Sequence, residues 1–196
     1  MDAPDAAAVA PRPGSSQLAQ RASDVLRLSL LAGAGLMLAT GRTHAAAAIG
    51  LIGIGALLLR TARAPALLDL AFVTVLCADA WATSLGAFAH FNREDRPGHL
   101  LLSALATPVL AHLARRTGVV AATVPLRPGG RLAHLLVIAG LGVALGVAWE
   151  LVEYGADALL GTNMSLGYGD TMGDLVADAA GASAAAALLT WRLART

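Results

Sequence analysis

Six apolar stretches, each near the length needed to cross a bilayer, constrain this chain more than any other feature. They run roughly over residues 24–40, 44–60, 65–89, 98–116, 131–159 and 172–192. A transmembrane helix needs about 20 predominantly apolar residues to cross a hydrocarbon core of about 30 Å. In lipid, a segment has no water to satisfy its backbone polar groups, so stretches of this kind must be helical. Composition agrees: 57% of the 196 residues are hydrophobic and 14% are charged, against roughly 25% charged in a soluble domain. The expected fold is all-α: a polytopic membrane bundle of about six helices, forming a single domain over 24–193. Residues 1–23 are rich in Ala, Pro, Gly and Ser and contain no apolar run, so they read as a disordered cytoplasmic tail. A cleavable signal peptide would need a basic start followed by an apolar segment.

Breakers punctuate the six stretches. Gly41, Arg42 and Thr43 make a tight hairpin between the first two. Pro65 suits the start of the third helix and Pro97-Gly98 the start of the fourth. Pro108 should disturb the fourth helix by removing its bond to the Ala104 carbonyl. Thr171 with Asp174 resembles a capping box opening the sixth. Rows of small residues, Gly142 and Gly146 in helix five and Ala177, Gly181 and Ala185 in helix six, favour close packing of helices within the chain over a dedicated dimer motif.

All fourteen basic residues are arginine. With six spans, eleven of them fall on one side and only Arg42, Arg93 and Arg96 on the other. The positive-inside rule then places both termini of this multi-pass protein in the cytoplasm. The absence of lysine excludes Schiff-base and P-loop chemistry, and a single cysteine, Cys77, excludes a disulfide framework or cysteine metal site. No basic cluster with interleaved aromatics points to nucleic acid. The net charge of +1 conceals an opposition: the cytoplasmic half carries four carboxylates and the outer half nine.

Several of those carboxylates lie within or beside spans, where a charge costs at least ~2.5 kcal/mol on insertion scales and therefore usually has a partner or a task. At 1.5 Å per residue, Glu150 sits ~27 Å along helix five, Asp178 ~9 Å inside helix six and Asp79 ~21 Å along helix three, all near one level. Glu150, Glu153 and Asp157 share a helix face, as do Asp174 and Asp178, with Asp170 just before them. Asp95 and His99 open helix four at the same end. Like charges so grouped repel, and a bound cation, protonation or basic partners would relieve them. Oxygen ligands with one or two imidazoles suit Mg²⁺, Mn²⁺ or Ca²⁺, with Zn²⁺ admitted if His99 or His90 ligates. Asp69, His112 and His134 fall near the cytoplasmic ends and read as interfacial residues. Asn163-Met164-Ser165 matches a glycosylation sequon, a short and weak pattern.

These residues also carry a family resemblance. Trp149-Glu150-Leu151-Val152-Glu153, then Gly167-Tyr168-Gly169-Asp170, Asp174 and Asp178-Ala179-Ala180-Gly181 resemble the YjdF-like bacterial inner-membrane family, which pairs Glu-x-x-Glu with a downstream Asp-x-x-x-Asp. That family's Asp-Arg-x-Gly-His motif stands here as Asp95-Arg96-Pro97-Gly98-His99. The resemblance covers about residues 65–190 and departs at Glu94, where the family has Tyr, and at Leu175, where it has Met. The last two helices are more distantly similar to VanZ-like proteins. The resemblance implies a membrane location and this grouping of residues, and brings no reaction with it.

The leading expectation is a metal-dependent hydrolase or transferase acting on a lipid or lipid-linked substrate from the extracytoplasmic side. Glu150, Glu153, Asp174 and Asp178 hold the cation in that reading. His99, oriented by Asp95, moves protons, and Asp79 and Asp170 support the site. A small cation- or proton-coupled transporter is the alternative, although no inverted repeat is visible and helices five and six offer few polar residues towards the cytoplasm. A non-catalytic lipid-binding or accessory subunit is the third, with a membrane-protein partner or a homo-oligomer.

Overall fold

A computed structural model describes residues 13–85, 95–120, 128–162, 167–193 and 195. The described residues form six helices and no strand: α1 (Pro13–Ala39), α2 (Thr43–Arg60), α3 (Ala66–Ser84), α4 (Arg96–Arg116), α5 (Pro128–Leu160) and α6 (Tyr168–Leu193). Each is long and apolar enough to cross a membrane. His90, Arg93, Glu94 and the Asn163 sequon lie outside the described residues.

Two boundaries differ from the sequence reading. The first helix begins at Pro13 rather than near residue 24, so residues 13–23 are helical and not an unstructured tail. Pro13 fits a first helical turn because its missing N–H has no partner there anyway. Ala19 and Ser23 are buried, which gives this early segment a packing face. At α6 the capping box is absent. The Thr171 N–H bonds the Gly167 carbonyl, so Thr171 already lies inside a helix that starts at Tyr168.

The helices run up and down in sequence and pack as two groups of three. α1 packs on α2 and α3, α6 packs on α4 and α5, and α3 against α4 joins the groups. Close approach within the second group depends on glycine. A Cβ on Gly181 would overlap the Leu100 carbonyl of α4, and one on Gly146 would overlap the Asp178 carboxylate of α6. The helix rows of small residues therefore serve contacts inside this chain. Pro108 stands inside α4, and the preceding Thr107 hydroxyl donates to the Ser103 carbonyl at 2.7 Å. A larger apolar core lies between the two groups, built on Leu30, Ile49, Phe72, Val73 and Val109, with Leu145 and Trp149 packed against it.

The first group is fastened by charge at the end where α1 begins. Arg27, 1% exposed, donates to both Asp69 oxygens at 2.6 and 3.0 Å and to the Ala56 carbonyl at 3.0 Å. Asp24 and Arg60 form a second, half-exposed pair at 2.7 Å. Asp69 is thus not an interfacial residue: its carboxylate is buried and fully engaged by a fork-shaped guanidinium, the geometry that makes such pairs strong. At the same end Arg116 donates to the Thr61 carbonyl at 2.7 Å, and His134 bonds the Thr190 hydroxyl at 2.9 Å.

Removing one partner of a buried ion pair leaves an uncompensated charge, at about 3–5 kcal/mol, whereas replacing both with apolar groups is often neutral. Arg27→Met should therefore lower the thermal midpoint in detergent markedly, and Arg27→Met combined with Asp69→Leu should recover most of the loss. A double variant as unstable as the single one would contradict this reading of the clamp.

Candidate functional site

The opposite end of the bundle, where α3 and α5 end and α4 and α6 begin, gathers the carboxylates. Asp95 occupies the position before the first turn of α4, where an aspartate normally accepts from a backbone N–H one turn on. Here it makes no such bond. Its Oδ1 is buried without a hydrogen-bond partner among the described residues. His99 follows one turn later on the buried face. Asp174 comes from the second turn of α6, about 9 Å along that helix. One ligand atom each from Asp95, His99 and Asp174 lies within 4.8 Å of the others.

Asp178 stands a turn deeper and takes a different role from the ligand expected of it. It accepts from the Ser103 hydroxyl at 2.6 Å and faces His99 Nδ1 at 3.3 Å. An ionised carboxylate can only accept, so Nδ1 carries a proton in this contact; in the neutral imidazole the lone pair is then on Nε2. That is the arrangement in which an outer carboxylate fixes the tautomer of a metal-binding histidine.

Glu150 and Glu153 are both buried on α5. Glu150 faces the Thr171 side chain, yet its Oε1 has no hydrogen-bond partner, and neither has Asp174 Oδ1. Glu153 lies within electrostatic reach of Glu150, His99 and Asp95 and faces the Trp149 side chain. Asp170 is half-buried in the first turn of α6. Asp157 leaves the group, taking the Thr162 hydroxyl at the end of α5. Asp79 approaches from α3: a Cβ on Gly98 would overlap its Oδ1.

The structure thus brings Asp95, His99 and Asp174 to ligand distance of one another and ties Asp178 to His99. Glu150, Glu153, Asp79 and Asp170 surround them without joining that group of three. Ser103 is a residue the sequence reading missed. The signal was present, because His99, Ser103 and Thr107 form a polar row at four-residue spacing along an otherwise apolar helix, and all three are buried.

Below the cluster a cavity of about 150 Å³ opens between α2 and α5, two helices that do not pack extensively on one another. Asp79, His99, Ser103 and Asp178 form its polar end, and residues such as Ile52, Leu59, Phe72 and Ala106 line the rest. His99 is therefore a wall common to the carboxylate cluster and the cavity.

Gly146 lets Asp178 sit against α5, so adding a methyl group there must displace the carboxylate that holds His99. Gly146→Ala should cost about 1–3 kcal/mol through overpacking. Gly140→Ala, where a Cβ meets open space, should leave the melting temperature in detergent unchanged or raise it slightly. Equal stability of the two variants would show that the close approach of α5 and α6 is not required.

A family profile described as "Predicted membrane protein (DUF2238)" matches residues 25–195. No curated protein and no solved structure matches the chain. The match spans all of the acidic motifs and five of the six helices in full, and it agrees with the YjdF-like resemblance carried by those motifs. The chain belongs to the DUF2238 family of predicted multi-pass membrane proteins.

Proposed function

We propose that Asp95, His99 and Asp174 bind one divalent cation and that the site carries out metal-dependent hydrolysis or group transfer on a lipid or lipid-linked substrate. The observation that carries this reading is an oxygen on each of Asp95 and Asp174 that is buried without a hydrogen-bond partner among the described residues, on two carboxylates within ligand distance of His99. An unpaired buried carboxylate oxygen forfeits several kcal/mol unless something supplies the missing positive charge. Two carboxylates and one imidazole with open positions suit Mn²⁺, Mg²⁺ or Zn²⁺ better than the all-oxygen cage that Ca²⁺ prefers.

A cation held there would polarise a phosphoryl or carbonyl oxygen and lower the pKa of a bound water. Asp178 and Ser103 orient the imidazole. Glu150, with an oxygen free of hydrogen bonds, is placed to accept the proton of the attacking water. With nine of the described arginines towards the other end of the bundle, the positive-inside rule turns this site away from the cytoplasm, in a bacterial plasma membrane. The cavity argues against transport: its lining becomes apolar beyond Ser103 and Asp178, so no polar path continues to the arginine end.

Purified protein should carry stoichiometric divalent metal by elemental analysis. Asp174→Asn and His99→Gln should abolish it, and Asp157→Asn should leave it intact. Asp178→Asn should weaken metal affinity by about 10–100-fold, the usual loss when an orienting partner is removed. Metal-free protein after purification without chelators, or full occupancy in Asp174→Asn, would overturn the assignment.

A further inference from the structure

The cavity and one arginine together specify the substrate further. Arg96, beside the ligand Asp95, lies over α6 so closely that a Cβ on Gly173 would overlap its guanidinium, and Gly173 immediately precedes the ligand Asp174. Arg96 is exposed. Among the described residues it makes no ion pair, although carboxylates surround it. The contrast with Arg27, Arg60 and their partners is direct: this chain pairs arginine with aspartate wherever it uses the pair to hold helices together. A guanidinium left open at the mouth of a cation site is a planar fork suited to a phosphate oxygen pair.

The cavity supplies the other half of the ligand. Its wall is largely apolar and includes Leu51 of α2, which is also exposed at the bundle surface, and its polar end holds His99 with Asp79, Ser103 and Asp178. An apolar cavity of about 150 Å³ holds a benzene-sized molecule, which corresponds to about six carbons of an alkyl chain. Gly55 of α2 lines it, and a Cβ built on Gly55 meets nothing within 4 Å. The chain-sized slot ends at His99, which is also a member of the carboxylate group; Asp95, Asp174 and Arg96 lie on the other side of that imidazole, outside the cavity lining.

We infer that the protein takes a lipid phosphate ester, with one alkyl chain in the cavity between α2 and α5 and its phosphate between Arg96 and the Asp95–His99–Asp174 cluster. The inference rests on the metal reading above, because without a cation the carboxylates would repel the phosphate. The second chain of a two-chain lipid stays in the bilayer, reached through the open side of the cavity. Arg96 is a specificity residue for the phosphate, and Gly55 keeps the chain slot open.

Trp149 lines the cavity and provides the readout. In nanodiscs of unbrominated lipid, a single-chain phosphate monoester brominated on its chain should quench Trp149 fluorescence saturably. Its neutral, dephosphorylated counterpart should need about tenfold more, equivalent to about 1.4 kcal/mol. Trp149→Phe should remove the saturable component. Gly55→Leu, which fills open space without touching the cluster, should also remove it. Arg96→Gln should make the phosphate and neutral compounds equivalent. Inorganic phosphate alone should not displace the brominated lipid.

Metal content is measured on every variant. Normal metal with no saturable quenching, or with quenching indifferent to Gly55→Leu, overturns the lipid assignment and leaves the metal reading standing. Metal-free protein that still quenches saturably, with dependence on Arg96, overturns the metal reading and with it the placement of the phosphate at the Asp95–His99–Asp174 cluster. Equal quenching by the neutral compound in the parent protein overturns the phosphate assignment.

Discussion

A carboxylate inside a helix bundle must find positive charge, hydrogen-bond donors or a proton, because neither lipid nor apolar side chains can solvate it. The architecture of this protein follows from how it meets that demand differently at its two ends. At the arginine end the demand is met completely: Arg27 closes on Asp69 and the Ala56 carbonyl, and Arg60 closes on Asp24. Three helices are joined there by bonds whose every polar atom has a partner. At the other end Asp95, Glu150 and Asp174 each keep a buried oxygen with none. The two ends therefore differ in how far the described residues satisfy their own carboxylates, and the proposed cation is one way to meet the remaining demand.

The packing of the second helix group serves that end. α4 and α6 approach until a glycine is needed between Gly181 and Leu100, and α5 and α6 until one is needed between Gly146 and Asp178. These approaches bring His99 of α4 and Asp174 and Asp178 of α6 together at one level while leaving α2 and α5 apart. Tight packing on one side and a gap on the other are complementary consequences of where the small residues lie. The gap is the cavity, and His99 borders both it and the carboxylates. A reactive group placed there could reach a polar head while its chain remains in an apolar slot.

Much of this was legible in the sequence because the membrane imposes simple rules. Span length and apolar content gave six helices, and 1.5 Å per residue put Asp79, Glu150 and Asp178 near one level before any packing was known. The assignment of roles within the acidic group was not legible, since helix periodicity orders residues along one helix but does not set the rotation of one helix against another. The pairing of Asp178 with His99 and Ser103, and the approach of Asp95 to His99 and Asp174, depend on that rotation and could not be read from periodicity. Asp69 and Arg27 show the same limit. They lie far apart in sequence, and only the three-dimensional packing of α1 on α3 turns an apparent interface aspartate into half of a buried pair. α1 begins ahead of its apolar run because Ala, Gln and Arg favour helix without adding the hydropathy that marks a span.

The central claim, that His99 and its neighbouring carboxylates ligate a cation, is tested most directly by electron paramagnetic resonance of the Mn²⁺-loaded protein. The account predicts a bound-manganese spectrum with a ¹⁴N coupling from imidazole, lost in His99→Gln while the carboxylates remain. A spectrum of hydrated, unbound Mn²⁺, or a bound spectrum with no nitrogen coupling in the parent protein, would contradict it.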